Sequence, residues 1–405
     1  AATGQGLTVI AFAFMPSLPY MVLCRAFDGA LLAALRPISN GIVADVTSEN
    51  RRGTVFGRLQ SGFIMGIFVT GLFVVPMARK TILGFHGWRV AFVMVGTFSM
   101  IVAALVGQFL EEPPHTDYGG AKGFRAVVDE LWSLLRFFRL PTFCVMIVQG
   151  IFGTMPWTAL SFMALFFQLS GISDGQVAVI AGAQALSGAI GNMLGGLASD
   201  VLARRFGLHG RPLSAQLTVA MGIPIVYFIF VGIPPGTGSF GGYFALMVAF
   251  GLLGTWAQSG TNFPILSHIV PPSCRSRVLA WESAFENSIA SGIGPVIVAS
   301  LAEGVFHYTF GQEQKDGVDI PSAVALGRAM AVAICVPWLV CFAVYSMMHY
   351  TYPRDIRKLE AQEQKRLAEA QKAKGVDAAT AAPAPQHCEK SSAGRVNVAA
   401  GEVGV

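Results

Sequence analysis

Charge is what this sequence has least of. Only 13% of its 405 residues are Asp, Glu, Lys or Arg, against about a quarter in an ordinary soluble domain. Sixteen of those charges fall in residues 353–405, which leaves the rest of the chain with roughly one in ten. With 53% apolar residues, a soluble fold would lack the polar surface to keep the chain dispersed. Most of the chain must face lipid, and nucleic-acid binders, secreted disulfide scaffolds and ordinary cytosolic enzymes are excluded from expectation. The six cysteines (24, 144, 274, 335, 341 and 388) are scattered, without metal-ligand spacing, and read as thiols in apolar surroundings. The seven histidines form no metal constellation, there is no Gly-x-x-x-x-Gly-Lys-Ser/Thr run, and no Asn-x-Ser/Thr sequon is present. No cofactor, metal or enzymatic activity is therefore expected. The chain starts at Ala1 without a signal peptide and reads as a fragment or processed product.

What is present is a series of apolar runs. A hydrocarbon core about 30 Å thick takes about 20 helical residues. Nine runs qualify: 20–44, 56–77, 90–110, 143–169, 177–202, 214–233, 243–263, 278–305 and 326–350, with Thr8 to Phe14 as the remnant of another. Alternate connections, taken together with the tail, carry 21 Lys and Arg, against 5 in the opposite set. The positive-inside bias makes the first set, and the tail, cytosolic. The predicted organisation is an N-terminal bundle (1–110), a cytosolic linker with an interfacial amphipathic helix over Phe124 to Phe138 (111–142), a C-terminal bundle (143–352), and a charged helix running into a disordered tail (353–405).

The cytosolic turn Asp45 to Gly57 has a weak counterpart in His268 to Ala280. A shift of 223 residues superposes Arg52 on Arg275, Gly57 on Ala280 and Gly71 on Gly294. Parallel repeats of this kind occur in secondary transporters. The resemblance is to the major facilitator superfamily. Gly87-Trp88-Arg89-Val90-Ala91-Phe92 resembles the start of that family's sixth helix, and Arg25-x-x-x-Gly29 its fourth-helix motif. Gly196-x-x-x-Asp200 with Arg204-Arg205-x-Gly207 resembles the gating motif between the eighth and ninth helices, with looser spacing. Gly53-x8-Gly62-x3-Gly66 resembles the antiporter motif, with Ile67 where that motif has proline. The loop 204–212 and the run Gln149 to Trp157 are similar to those of spinster-like organic-solute and lipid carriers. The resemblance implies an all-α polytopic membrane protein of two pseudo-symmetric bundles, with the family's helices 3–12 present and the chain beginning in the third.

Charges at bilayer depth are costly and mark pathways unless paired. Arg25, Asp28, Arg36 and Asn40 fall within about 120° of one another on one helical face, at 100° a residue. They read either as a cavity wall for an anionic group or a proton, with Arg36 deepest, or as an Arg25–Asp28 interfacial pair. Glu282 and Glu286 share a face at i, i+4, with Asn287 beside them; a buried carboxyl can take up a proton near neutral pH. Glu286 is read as the coupling group, and Glu282 as the partner of Arg277 or Arg275 at the interface. Asp45 with Arg51 and Arg52, and Asp200 with Arg204 and Arg205, are expected at helix ends together with Arg275, either as a gate that pairs across the two halves or as plain positive-inside loops. Gln149, Trp157, Trp256 and Asn262 are uncharged candidates for solute contact, with interhelical hydrogen bonding as the simpler role. The resemblance implies secondary transport of a small organic solute by alternating access, with an anionic or lipid-like solute and a coupling proton as open options. The expected partners are that solute and the bilayer, not nucleic acid, and the chain is expected to act as a monomer. A transport-inactive receptor or scaffold is the alternative.

Overall fold

The computed structural model describes residues 2–78, 80–82, 84–109, 128, 132, 134–308 and 319–380. The linker from 111 to 127, with Lys122 and Arg125, and the tail beyond 380 lie outside the described residues.

Twelve helices are described, and they account for nearly all the regular structure: α1 (Ala2–Phe14), α2 (Leu18–Val46), α3 (Arg52–Ala78), α4 (Gly87–Phe109), α5 (Pro141–Ala159), α6 (Met163–Leu169), α7 (Asp174–Phe206), α8 (Gly210–Tyr227), α9 (Phe240–Leu253), α10 (Phe263–His268), α11 (Arg275–Gly304) and α12 (Ile320–Thr380). A two-residue hairpin, Thr81–Ile82 against Phe85–His86, joins α3 to α4. Among the described residues, seven helical runs are long and apolar enough to cross a bilayer: Leu18–Val46, Gly87–Phe109, Pro141–Leu169, Asp174–Gly232, Thr237–His268, Arg275–Gly304 and Ile320–Glu369. The 59-residue run Asp174–Gly232 contains two of the expected spans, because the chain reverses at Gly207 without leaving helical structure for long. That reversal needs φ +58°, a conformation that favours glycine, and a side chain at Gly210 would meet the Leu202 carbonyl at 2.2 Å.

Many large apolar side chains point outward. Phe73 is 71% exposed and Phe98 68%, while the interior holds Phe143, Phe166, Phe167, Phe250 and Tyr345. A surface of this kind is costly in water and suits hydrocarbon, so the chain is an integral, multi-pass membrane protein.

Contacts divide the chain into two compact units, Ala1–Arg357 and Lys358–Val405. In the first, α1 packs on α2 and α4, α3 on α7, α11 on both α2 and α5, and α7 on α8 and α9. The start of α5 is capped from afar: the Asp355 carboxylate accepts a hydrogen bond from the Thr142 amide at 2.9 Å. Leu134 and Phe137, at the end of the expected interfacial helix, are buried, and the rings of Phe137 and Phe138 pack at tilted and edge-on angles against Phe143. The described part of the second unit continues in helical conformation to Thr380.

Candidate functional site

A cavity of about 700 Å³ lies inside the first unit, lined by residues of α2, α3, α5, α7, α8, α11 and α12 and by the chain between α9 and α10. That connecting chain includes a π-helical turn, Ala257–Asn262. Irregular backbone at membrane depth survives only where protein or a cavity satisfies it. Here Arg211 and Ser199 both donate to the Gly260 carbonyl, and Thr261 donates to that of Arg211.

Among the described residues, one basic and one acidic side chain line this cavity. Arg36 projects from α2 immediately before Pro37, with its guanidinium 4.5 Å above the Phe63 ring and 3.4 Å from Gln60 Oε1 on α3. Glu286 comes from α11, 4% exposed; Thr154 on α5 donates to its Oε1, and Oε2 has no partner. The remaining wall mixes amides with aromatic rings. Tyr345 donates to Asn262 at 2.9 Å, and the Trp338 indole N–H donates to the Gly153 carbonyl at 3.2 Å. Trp157 packs on Phe250 and Trp338.

The expected pathway residues separate. Arg36, Asn40, Gln149, Trp157, Asn262, Glu286 and Asn287 line the cavity; Arg25, Asp28, Trp256 and Glu282 do not. Arg25 pairs with Asp28 at 3.0 Å and lies over the rings of Phe12 and Phe92, so it ties α2 to α1 and α4. Trp256 packs against α7 at Gly195, its N–H donated to the Leu252 carbonyl. Glu282 is fully buried and is hydrogen-bonded by Ser283; of the two arginines offered for it, Arg275 pairs with Asp45 and Arg277 donates to Cys274 Sγ at 3.6 Å.

The charged residues expected at the helix ends find their partners on other helices. Asp200 is partnered not by Arg204 or Arg205 but by Arg211, at 3.0 Å, eleven residues on and past the Gly207 reversal. Its carboxylate also accepts from the backbone amides of Gly53 (3.0 Å) and Thr54 (2.6 Å) and from the Thr54 hydroxyl (2.7 Å). These amides belong to the first turn of α3, so Asp200 caps that helix from another. Arg211 in turn donates to the Glu49 carbonyl at 2.8 Å. Asp45 pairs with Arg275 at 2.5 Å, not with Arg51 or Arg52, because the start of α11 lies against the end of α2. Arg204 donates to the Asn50 carbonyl at 3.4 Å, Arg205 stacks on Phe206, Arg51 is exposed, and Arg52 is buried with Nε and Nη1 unpartnered.

Sequence reasoning missed a second set of these contacts. His268 donates toward or accepts from Tyr352 at 2.6 Å through Nδ1 and meets Glu49 at 3.1 Å through Nε2. The His268 hydrogen bond holds the Glu49 carboxyl below its ordinary value. Gln60, Thr154, Arg211 and Trp338 were also missed. Only Arg211 had a local signal, its place in the glycine-bracketed loop 204–212.

Helices with apolar outer faces, gathered around a cavity that holds a cation and an acid, define a polytopic membrane protein of helical bundles. The Major Facilitator Superfamily model matches residues 1–295, and the chain belongs to that superfamily. Over 112 residues the chain is 26% identical to the multi-drug resistance efflux pump PmrA of Streptococcus pneumoniae, in each of two strains. The match covers 28% of this chain and 27% of the pump, so the chain spans about a quarter of the length of these curated relatives. Two crystal structures of a bacterial homologue of the human lysosomal transporter Spinster, inward-facing and either occupied or unoccupied, match with TM-scores of 0.52 and 0.54. Each is 19% identical, covering 87% of this chain and 82% of that chain, and the likeness is one of fold.

Proposed function

We propose that the chain is a secondary carrier that moves a small organic solute across the membrane through this cavity by alternating access. Arg36 binds an anionic group of the solute, and Glu286 carries a coupling proton. The observation that carries the reading is that a cation exposed to the cavity and a buried acid with an unpartnered oxygen line the same space. Charges at this depth are retained where they bind or relay. The surrounding Trp157, Trp338 and Phe63 favour a solute with apolar or aromatic surface, and the partial match to a multi-drug efflux pump supports that class. The latch of helix-end contacts lies on the arginine-rich side, which the positive-inside bias makes cytosolic, as it does the tail. The contacts Asp45–Arg275 and Asp200–Thr54 form the inner gate in its closed state, and a state open to the cytosol requires both to break. The carrier acts as a monomer.

The test is uptake into proteoliposomes of the full chain, driven by a pH gradient and screened over organic anions and amphipathic solutes. Glu286→Gln abolishes gradient-driven accumulation and spares solute counterflow. Accumulation that survives Glu286→Gln unchanged removes the proton role, and a protein inactive in both assays with every solute removes the carrier reading.

A further inference from the structure

Glu282 lies one helical turn from Glu286 on α11, on the side toward Arg275, and is fully buried behind the cavity wall. Each carboxyl has one oxygen accounted for: Ser283 donates to Glu282 Oε2 at 3.3 Å, and Thr154 donates to Glu286 Oε1. Each also has one oxygen, Glu282 Oε1 and Glu286 Oε2, that is buried and has no partner. Four residues apart on one helix, the two carboxyl groups lie on the same face of α11, one turn from each other. Two ionised carboxylates both lack a donor, so no hydrogen bond can join them; a single proton between them supplies the donor that both orphaned oxygens need. Two bare negative charges at this separation in low dielectric repel strongly, while an acid–carboxylate pair does not.

The groups facing the pair from packed elements are few. Arg36 on α2 and, from α12, Cys341 and Tyr345 line the same cavity as Glu286. From α5 come Thr154 and the bare backbone of Gly150, where an added Cβ would lie 2.8 Å from Glu286 Oε2. Arg36 is thus the cation that acts on the pair, and it acts on the outer member.

We propose that Glu282 and Glu286 form an acid pair that holds one shared proton, with Glu286 meeting the cavity and Glu282 acting as a positioning residue behind it. The pair then binds and releases one proton as a unit. Approach of the Arg36 guanidinium, or of a solute cation, favours the doubly ionised form and expels that proton; withdrawal of the cation restores it. This inference rests on the proposed proton-coupled transport for its purpose, but the shared proton itself is measurable without transport.

The experiment is infrared difference spectroscopy of the purified full chain near neutral pH, following the C=O stretch of protonated carboxyl groups. In Glu282→Gln the new amide N–H donates to Glu286, the shared proton is no longer needed, and the wild-type spectrum exceeds the variant's by one carboxyl proton. Glu286→Gln gives the mirror result at Glu282 and serves if the first variant misfolds. In liposomes, Glu282→Gln shifts the pH profile of accumulation by about one unit or more while changing solute affinity less than about twofold. A purely structural Glu282 would move affinity or yield and leave the carboxyl band intact. Retention of the full wild-type band in either Gln variant overturns the shared proton. A wild-type band lost in both variants, in a protein that accumulates nothing under a pH gradient, upholds the pair and overturns the coupled-transport reading instead.

Discussion

On the proposed gating, Asp200→Ala should open the inner gate, and the size of the effect follows from which of its contacts bridge between α7 and α3. Asp200 and Arg211 sit on adjoining helices α7 and α8, so their 3.0 Å ion pair persists whether or not α3 moves away. Three hydrogen bonds, to Gly53 N, Thr54 N and Thr54 Oγ1, exist only while α3 is docked. A hydrogen bond to an ionised group contributes about 1.5–3 kcal/mol, but three on one carboxylate are not additive, and water replaces them when the gate parts. A net bias of about 3 kcal/mol toward the closed state is a sound figure, or roughly a hundredfold in population. The reporter is Ser276→Cys in a cysteine-free background: Ser276 lies against Gly41 at the α2–α11 contact, where a side chain on Gly41 would clash with its hydroxyl. Labelling by a membrane-impermeant maleimide at the arginine-rich face should accelerate by roughly two orders of magnitude in Asp200→Ala. Asp200→Asn, which keeps an acceptor but loses the charge, should give a smaller rise. A monodisperse, folded Asp200→Ala protein whose labelling rate equals that of its parent refutes the latch.

Gly196→Ala should act in the same direction by a different cause. Its Cβ would lie 2.2 Å from the Gly53 carbonyl oxygen, a backbone atom that cannot swing aside, so α3 and α7 must separate at a cost of about 1–3 kcal/mol, read as faster Ser276→Cys labelling. Arg36→Ala should weaken binding of an anionic solute by about 2 kcal/mol, roughly thirtyfold in affinity, and leave neutral analogues unaffected; scintillation proximity binding separates the two. Glu49 tests pH dependence. Its folded-state value is depressed by the His268 hydrogen bond, so its stabilisation of the closed gate is full above the ordinary carboxylate range and is lost as pH falls through the lowered value. Glu49 is half exposed, which holds the contribution below about 1 kcal/mol. Gate labelling in Glu49→Gln should therefore exceed that of wild type above the carboxylate range and converge with it in acid. A gap that persists in acid assigns the effect to something other than the Glu49 charge.

The spans were legible in the sequence because crossing a bilayer imposes a length and a composition that twenty consecutive residues display by themselves. The pairings were not, because each depends on a second stretch of chain. Asp200 has two arginines within a turn and a half and ignores both; they follow it along α7, whereas the Gly207 reversal returns Arg211 to its side. Asp45 likewise finds Arg275, 230 residues away, because α11 docks on the end of α2. The tryptophans show the same limit. Trp157 and Trp256 are indistinguishable as apolar residues with a polar tip, yet one lines the cavity and the other fills the notch at Gly195.

A single criterion separates the embedded charges into those that hold the fold and those available for work. Arg25 finds Asp28 one turn away and two aromatic faces, so its charge is satisfied within its own neighbourhood and nothing need approach it. Arg36 has one long hydrogen bond to an amide and one ring, and Glu286 has one hydroxyl, so each keeps unspent bonding capacity at the cavity. Removing an ion from water without full compensation costs free energy, and an apolar side chain in place of Arg36, or in place of Glu282 and Glu286 together, would relieve that cost. Stability gives no reason to retain them there, whereas a solute or proton that completes their bonding in one state and leaves in another does. The prediction that follows is directional: Arg36→Met, or Glu282→Leu together with Glu286→Leu, should raise the melting temperature of the empty protein while abolishing ligand-induced stabilisation. Arg25→Met should lower the melting temperature by stranding Asp28, which is 4% exposed with one oxygen already unpartnered. Equal destabilisation by all three substitutions would show that the cavity charges are structural like the rest.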